Sequence, residues 1–356
     1  MPKKRILWAD IAKFFAIVLM VWCHLGMPQN LSIVIHMFHM PIFFILGGMF
    51  YDKAKYKKFS AFFLSRVKSL IVPYFAWGVI SYAIYRLIPY VTGMTEIVSV
   101  RRFILALFTQ DANEVLFSGF GVIQWFFTSL FLSEMVLWVI IRLSDRINKS
   151  YQRLYFGIIS VVLIIVNGFV CSHIEHNWLG FKSSILGTLC CLFGFILKNE
   201  IKQILDAGNR SKLIISFFAI AVFVAVFFLN GSVNMRITRY NNQLLFILGA
   251  ISGSLLVFIF SREVENYLPD GLLKTYILYI GRHTALILCT NRLVQYTFIF
   301  LMNNLIAHFM RVESGFGLYS RQIVDLVVEM IIFVPIIYVV NRWIPFTVGK
   351  PLRSSE

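Results

Sequence analysis

The sequence predicts an all-α polytopic integral membrane protein with about ten transmembrane helices and both termini in the cytoplasm. Its 356 residues are 59% hydrophobic and only 14% charged, whereas soluble domains average about 25% charged residues. The mean hydropathy is +0.77, and the 36 phenylalanines are spread along the whole chain. We therefore expect a single membrane domain over residues 1–356, with no separate soluble domain.

The apolar runs divide the chain into ten predicted spans. A hydrocarbon core of about 30 Å needs about 20 apolar residues in helical form, and lipid requires the backbone to satisfy its own hydrogen bonds. The ninth span has a polar start, which also fits a short interfacial helix. The segment FSAFFLSRVKS in the inside loop 52–68 is an amphipathic stretch with a basic face. The predicted spans are 6–27, 32–51, 69–92, 122–142, 153–170, 181–197, 212–230, 244–260, 277–303 and 322–342.

The charge pattern gives the orientation and argues against nucleic acid as a partner. The net charge is +16, but most of the 33 basic residues lie in short runs on one side of the predicted membrane. This is the positive-inside pattern, and anionic lipid headgroups are its ordinary partner. The N-terminal MPKKRILWAD lacks a following cleavage site, so we interpret it as a retained first span. The outside segments hold only Arg101, Arg102, Lys182, Arg236, Arg239, Arg311 and Arg321.

Neither the cysteines nor the HIEH segment at 173–176 predicts a metal site. The five cysteines form no CxxC or Cys/His ligand spacing, and we interpret them as ordinary thiols, most of them in or near apolar segments. HIEH has two histidines three residues apart but no evident further ligand. No metal is therefore expected.

The first span carries three ionisable residues on one face. His24 follows Lys13 by eleven residues, which is about 16 Å along a helix and within about 20° of the same direction. Asp10 falls on the same side. An ionisable residue inside a span marks a functional site by default. The plainer alternative is that Lys13 extends toward the headgroups in a salt bridge with Asp10.

Two further spans add polar residues at matching depths. His36 and His39 share a helix face, and Pro41 should kink or open that helix. His24 and His39 both fall in the outer half, so they can meet. Glu134 lies deep in the fourth span, at a depth where it can pair with Lys13. The plainer alternatives are a packing role for His36 and a protonated, neutral Glu134.

Five motifs in order resemble the membrane acyltransferase-3 family. They are DIAKFFAIVLMVWCH (10–24), HMFHMPIFFILGG (36–48), FLSRVKSLIVPYF (63–75), QWFFTSLFLSEM (124–135) and GRHTALILCTNRLV (281–294). Lys13 and His24 match the hallmark of a basic residue, ten positions and a histidine. The late motif departs from the pattern, because Asn291 stands where the family often has histidine.

The resemblance implies a membrane-only acyltransferase of the bacterial cytoplasmic (inner) membrane. It implies transfer of an acyl group, commonly acetyl, from a coenzyme A thioester to a hydroxyl of a cell-envelope carbohydrate or lipid-linked glycan precursor. Acetyl-coenzyme A or another acyl-coenzyme A would be a co-substrate rather than a tightly bound cofactor. The partners implied are this donor, the glycan acceptor and membrane lipids.

Acyl transfer requires a base for the hydroxyl proton and a cation for the donor or the oxyanion. Histidine titrates near neutrality, so His24 is the candidate base or transient acyl carrier, with His39 assisting. Lys13 would orient the donor and Asp10 would hold Lys13. The candidate donor-binding residues are Arg66, Lys68, Trp125 and Arg282, and the supporting residues are Glu134 and Asn291.

The alternative function is a transporter or flippase for a glycan or lipid-linked sugar. Such a protein would use the same intramembrane charges as a substrate or proton pathway. It would consume no thioester, and this difference separates the two functions. The chain shows no clear internal repeat, which weakens the transporter interpretation.

Overall fold

The structure is a computed structural model that describes residues 5–92, 99–110, 124–295, 297 and 315–351. Within these ranges the chain is helical, and its only isolated β-bridge joins Asn234 and Arg239. Nine helical segments in the described ranges are long and apolar enough to cross a membrane. The predicted all-α polytopic class is thereby confirmed.

The helices follow most of the predicted spans. A π-helical turn, Val67–Ile71, joins the fourth and fifth helices. The first part of the chain contains α1 (Leu7–His24), α2 (Gln29–His36), α3 (Pro41–Met49), α4 (Phe59–Arg66), α5 (Val72–Thr92), α6 (Val100–Thr109) and α7 (Trp125–Ser144). The second part contains α8 (Gln152–His173), α9 (Phe181–Ile196), α10 (Lys198–Leu205), α11 (Asn209–Asn230), α12 (Gln243–Tyr267), α13 (Leu272–Arg282), α14 (Thr284–Val294) and α15 (Gly315–Trp343).

The second span is opened where Pro41 predicts it. α2 ends at His36 and α3 begins at Pro41, which occupies the first turn of the new helix. Proline is tolerated there because its missing N–H would have no intrahelical partner in any case. The turn between the two helices contains His39, so the break sets the direction of this side chain.

The third span begins earlier than predicted. The sequence predicts residues 59–66 in the loop 52–68, but they belong to the spanning stretch, because α4 continues through the π turn into α5 and the apolar stretch runs from Phe59 to Leu87. A π turn accommodates one extra residue in the helix and often marks a functional position. Arg66 is the last residue of α4 before this turn.

The prediction of a continuous ninth helix over 277–303 is wrong. The described part is divided at His283, whose φ of −117° and ψ of 20° are not helical. α13 packs against α1 so closely that a methyl group on Gly281 would overlap the Asp10 carbonyl oxygen. This tertiary contact fixes α13 against α1, and α14 starts directly after the break at His283. Residues 298–303 of the predicted span lie outside the described ranges.

The centre of the bundle is formed by α3, which packs against α9 through glycines. A Cβ atom on Gly48 would overlap the carbonyl oxygen of Cys191, and one on Gly194 would overlap that of Ile45. Small residues allow this close approach of helices in membranes. In contrast, α8 and α11 expose large apolar side chains, such as Leu213 at 71%, and therefore face lipid.

Candidate active site

Asp10 is a buried carboxylate near the start of α1 that gathers three cations. Its side chain is 4% exposed and accepts from Arg5 Nε at 2.7 Å and from Lys13 Nζ at 3.1 Å. Arg282 Nε, at the end of α13, lies 3.5 Å from the same carboxylate. A buried carboxylate is tolerated when it is paired in this way. Asp10 thus holds Lys13 as expected, and the candidate donor-binding residue Arg282 is another of its partners.

Lys13 projects into a cavity of about 310 Å³, which we call the lysine cavity. Its polar lining residues include Lys13, Arg66, Glu134, Tyr51 and Tyr56, while the rest of the wall is mainly aromatic and aliphatic. A mostly apolar cavity with a few convergent polar groups is the usual form of a ligand site. Lys13 of α1 and Arg66 of α4, which the sequence suggests as contacts of the donor, therefore line the same cavity.

Arg66 is fixed in the lysine cavity by an ion pair and by aromatic rings. Its Nη1 lies 3.3 Å from Glu134 Oε1, and its Nη2 donates to the Tyr56 hydroxyl at 3.2 Å. The guanidinium also lies over the Tyr56 and Phe62 rings, at 5.6 and 5.5 Å from their centroids. The predicted pairing of Glu134 with Lys13 is wrong, because Arg66 is the cation that reaches this carboxylate and Lys13 is held by Asp10.

Lys68 lies outside the lysine cavity. It is exposed on the π turn, two residues after Arg66, and it is not among the residues that line the cavity. Its backbone carbonyl instead contacts Gly349, near the end of the described chain. Any contact of Lys68 with a donor would therefore be made at the surface, and its binding role stays a prediction.

Three histidines meet in a second, smaller cavity of about 80 Å³, which we call the histidine cavity. His24 comes from the end of α1, and His36 and His39 come from the opened second span. The rings of His36 and His39 are nearly perpendicular, with centroids 5.1 Å apart. Met20, Met40, Trp125, Asn234, Met235 and Arg236 complete the lining. The expected meeting of His24 and His39 is thereby confirmed.

Backbone carbonyls fix the tautomers of two of these histidines. Nδ1 of His39 lies 2.7 Å from the Ile35 carbonyl oxygen, and Nδ1 of His36 lies 2.7 Å from that of Ser32. A carbonyl only accepts hydrogen bonds, so each Nδ1 carries the proton and each Nε2 presents a lone pair. His24 lines the same cavity, and no described residue hydrogen-bonds its ring.

An aromatic pair lies between the two cavities. Phe43 and Phe126 line the lysine cavity and contact each other edge to face, with centroids 5.5 Å apart. Met40 lies three residues before Phe43, and Trp125 lies directly before Phe126. Both line the histidine cavity. Trp125 therefore lies with the histidines rather than beside Arg66, and its role in donor binding stays a prediction.

Asn291 belongs to a buried polar cluster outside both cavities. It is 0% exposed, and its Oδ1 accepts from Gln295 Nε2 at 3.5 Å. The same Nε2 lies 3.4 Å from Glu329 Oε2 on α15, and Arg292 Nη1 donates to Gln295 Oε1 at 3.2 Å. Through Gln295 these contacts tie the end of α14 to α15, and the supporting role of Asn291 stays a prediction. Arg292 also lies within electrostatic range of His24.

Sequence reasoning left two basic residues of the histidine cavity out of the candidate site, His36 and Arg236. His36 carried a signal, since it lies three residues before His39 on one helix face. No sequence pattern indicated Arg236, because it lies in the loop between α11 and α12 and reaches the cavity only through the fold. Although three histidines line one cavity, the described residues contain no group of three potential ligands close enough to hold a metal ion.

Helical spans that enclose two neighbouring polar cavities define a polytopic membrane protein with a site inside its bundle. The chain belongs to the membrane acyltransferase-3 family, because the family model described as an acyltransferase domain matches residues 6–349. A search of curated proteins and a search of solved structures found no match.

Proposed function

We propose that this acyltransferase moves an acyl group, commonly acetyl, from a coenzyme A thioester to a hydroxyl of a cell-envelope carbohydrate or lipid-linked glycan. The family membership supports acyl transfer. The observation that carries the finer proposal is that α1 contributes Lys13 to one cavity and His24 to the next. A single rigid helix thus holds a cation for the donor and a base for the acceptor about 16 Å apart.

The lysine cavity suits the pantetheine arm of the donor, whose thioester end would extend past the Phe43–Phe126 pair to His24 in the histidine cavity. A whole coenzyme A, with its adenosine and three phosphates, is too large for about 310 Å³, so only the acyl-pantetheine arm would enter. Lys13 and Arg66 are the cations of this cavity, and both residue types bind phosphate or polarise a carbonyl. The phosphates would stay outside, near the lysines of the 52–58 loop and the exposed Lys68.

In the proposed transfer the acceptor hydroxyl gives up its proton, and the acyl carbon exchanges its C–S bond for a C–O bond. A histidine nitrogen accepts the proton of the acceptor hydroxyl while the hydroxyl oxygen attacks the thioester carbon. The C–S bond then breaks, and the departing thiolate takes the proton back from the imidazolium, so no net proton is consumed. His24 is the proposed base, because it lines the cavity and no described residue hydrogen-bonds its ring. His39, whose tautomer is fixed, would orient the acceptor hydroxyl.

The family resemblance also supports the membrane assignment. We place the protein in the bacterial cytoplasmic membrane, with glycan precursors or envelope polysaccharides as acceptors. The donor would then arrive from the cytoplasm at the lysine cavity.

The decisive experiment measures free thiol released from acetyl-coenzyme A by the purified protein in lipid nanodiscs with a panel of envelope glycans. We expect glycan-dependent release in the native protein and a loss of about 100-fold or more in His24→Ala. His173→Ala is the matched control, because His173 is exposed at the end of α8 and bonds only its own helix. Undiminished release in a folded His24→Ala variant would contradict the catalytic role. Glycan transport without thiol release would favour the flippase.

A further inference from the structure

The face of α1 that carries Lys13 and His24 is apolar between these two residues. Ile17 and Met20 follow Lys13 by four and seven residues, which is the helical spacing for one face. Ile17 is 0% exposed and Met20 is 1% exposed, and Met20 also lines the histidine cavity. A group that passes from the lysine cavity to the histidine cavity along this face therefore meets no charged side chain of α1.

The aromatic pair Phe43–Phe126 lies at the boundary between the two cavities and is held from behind. Phe126 contacts Phe43 and also Phe44, edge to face, with centroids 5.5 and 5.3 Å apart. A Cβ atom on Gly187 of α9 would lie 2.5 Å from Phe44 Cε1, so Phe44 is pressed against that helix. Because close-packed interiors deform little, Phe126 has little freedom to turn toward α9. The packing of α3, α7 and α9 therefore sets the width of this boundary.

The histidine cavity has room for only a small acyl group. Its volume is about 80 Å³, which is about half that of a ~150 Å³ apolar cavity that binds benzene with its six heavy atoms. By this ratio about three heavy atoms fit, as in an acetyl group. The walls include the buried side chains of Met20, Met40 and Trp125, and the acceptor hydroxyl must enter the same space. Further methylenes on the acyl chain would therefore overfill the cavity.

We propose that Phe43 and Phe126 select the acyl group by size, admitting acetyl to the histidine cavity and excluding longer acyl chains. In the proposed transfer the thioester end passes this pair while the pantetheine arm stays in the lysine cavity. A longer acyl chain would have to lie between the two rings or push them apart, and either loses their packing. This inference rests on the proposed acyl transfer, and it names the size of the acyl group and the residues that select it.

A series of donors that differ only in chain length tests the selection. Acetyl-, propionyl-, butyryl- and hexanoyl-coenzyme A are compared by thiol release in nanodiscs, with the envelope glycan that gives the highest rate with acetyl-coenzyme A. We expect the kcat/KM of the native protein to fall about 10-fold or more from acetyl to butyryl. Equal kcat/KM values for all four donors would overturn the proposal.

Variants assign the selection to the aromatic pair. Phe43→Ala should raise the kcat/KM for butyryl relative to acetyl by about 10-fold, and the milder Phe43→Leu should act in the same direction. The matched control is Phe258→Ala, because Phe258 is a buried ring of α12 that lines neither cavity. It should keep the native ratio. This ratio does not depend on the folded fraction, since both donors meet the same preparation. A native ratio in both Phe43 variants would overturn the proposal.

A binding measurement separates this inference from the proposed acyl transfer. Thermal unfolding is recorded with acetyl- or butyryl-coenzyme A at millimolar concentration and without acceptor, because a ligand that binds the folded state raises the Tm. Acetyl-coenzyme A should raise the Tm of the native protein and of Phe258→Ala more than butyryl-coenzyme A does, whereas Phe43→Ala should respond equally to both.

The outcomes of this measurement assign any failure to one proposal or the other. Equal Tm shifts with both donors in the native protein would overturn the size selection even if thiol release is observed. A size-dependent shift without thiol release would count against the acyl transfer alone. A Tm that neither donor raises would contradict the binding of the donor, and with it both proposals.

Discussion

Arg66 and Glu134 are 68 residues apart in the sequence and form an ion pair inside the bundle, with Nη1 and Oε1 3.3 Å apart. The pair joins the end of α4 to the middle of α7 at the wall of the lysine cavity. Because the Glu134 side chain is only 6% exposed, removing one partner leaves a charge in a poorly solvated place. Loss of either partner is therefore expected to affect both the stability of the protein and the binding of a ligand in the lysine cavity.

We expect Glu134→Gln to destabilise the protein by about 3 kcal/mol, since breaking a buried pair leaves the other charge uncompensated. Thermal unfolding in detergent measures the loss. The control is Asp270→Asn, which removes the partner of Lys274 where Asp270 is 96% exposed, and surface pairs contribute under about 1 kcal/mol.

The double variant Arg66→Met with Glu134→Leu separates stability from donor binding. It should recover much of the stability, because apolar pairs of similar size replace buried ion pairs well. It should still bind acetyl-coenzyme A poorly, since the cation is gone. A double variant with native donor affinity would show that Arg66 is structural only.

Lys13 is expected to act on the donor rather than on the fold. In Lys13→Met the Asp10 carboxylate keeps Arg5 at 2.7 Å and Arg282 at 3.5 Å, so the helix remains stable. The KM for acetyl-coenzyme A should rise about 10-fold, which corresponds to about 1.4 kcal/mol, and Lys13→Arg should largely restore it.

The control for this comparison is Lys149→Met, since Lys149 is exposed and outside the lysine cavity. It should leave the steady-state kinetics unchanged. A native KM for the donor in Lys13→Met would argue that Lys13 only balances the charge of Asp10.

Gly48→Ala should be strongly destabilising. Its new methyl group would overlap the carbonyl oxygen of Cys191, and separating α3 from α9 to relieve the overlap costs about 1–3 kcal/mol or more. Gly157→Ala in α8 has no atom within 4 Å of the new Cβ and should be neutral or stabilise the helix by up to about 1 kcal/mol. Equal Tm values for the two variants would contradict the tight packing of α3 on α9.

The positive-inside orientation is testable by labelling single introduced cysteines in intact cells. Ser232→Cys lies in the exposed loop between α11 and α12 and should react with a membrane-impermeant maleimide. Ser150→Cys lies between α7 and α8 and should react only after the cells are permeabilised. The unsubstituted protein gives the background from Cys23 and Cys171, which are partly exposed. The reverse labelling pattern would invert the topology.

The parts that sequence patterns predicted well are those in which the cause is local. Apolar runs located nearly every span, Pro41 located the break in the second one, and helical periodicity placed Asp10, Lys13 and His24 along one helix. These features follow from hydrophobic length, from a missing N–H and from the helical repeat.

The failures arose where a distant segment decided the outcome. The ninth helix breaks at His283 because α13 is packed on the backbone of Asp10, and no proline marks the position. The predicted partner of Glu134 was Lys13, because Arg66 was expected in the loop 52–68, and only the path of α4 through the π turn brings Arg66 to this carboxylate.

The sequence by itself determined a polytopic helical membrane protein with a row of ionisable residues on its first helix, because span length and periodicity are properties of neighbouring residues. Only the tertiary structure decided that this row serves two cavities and that a loop arginine lies at the second. Contacts between helices depend on how the whole bundle packs, so Arg236 and His24 meet through the fold and not through any spacing along the chain.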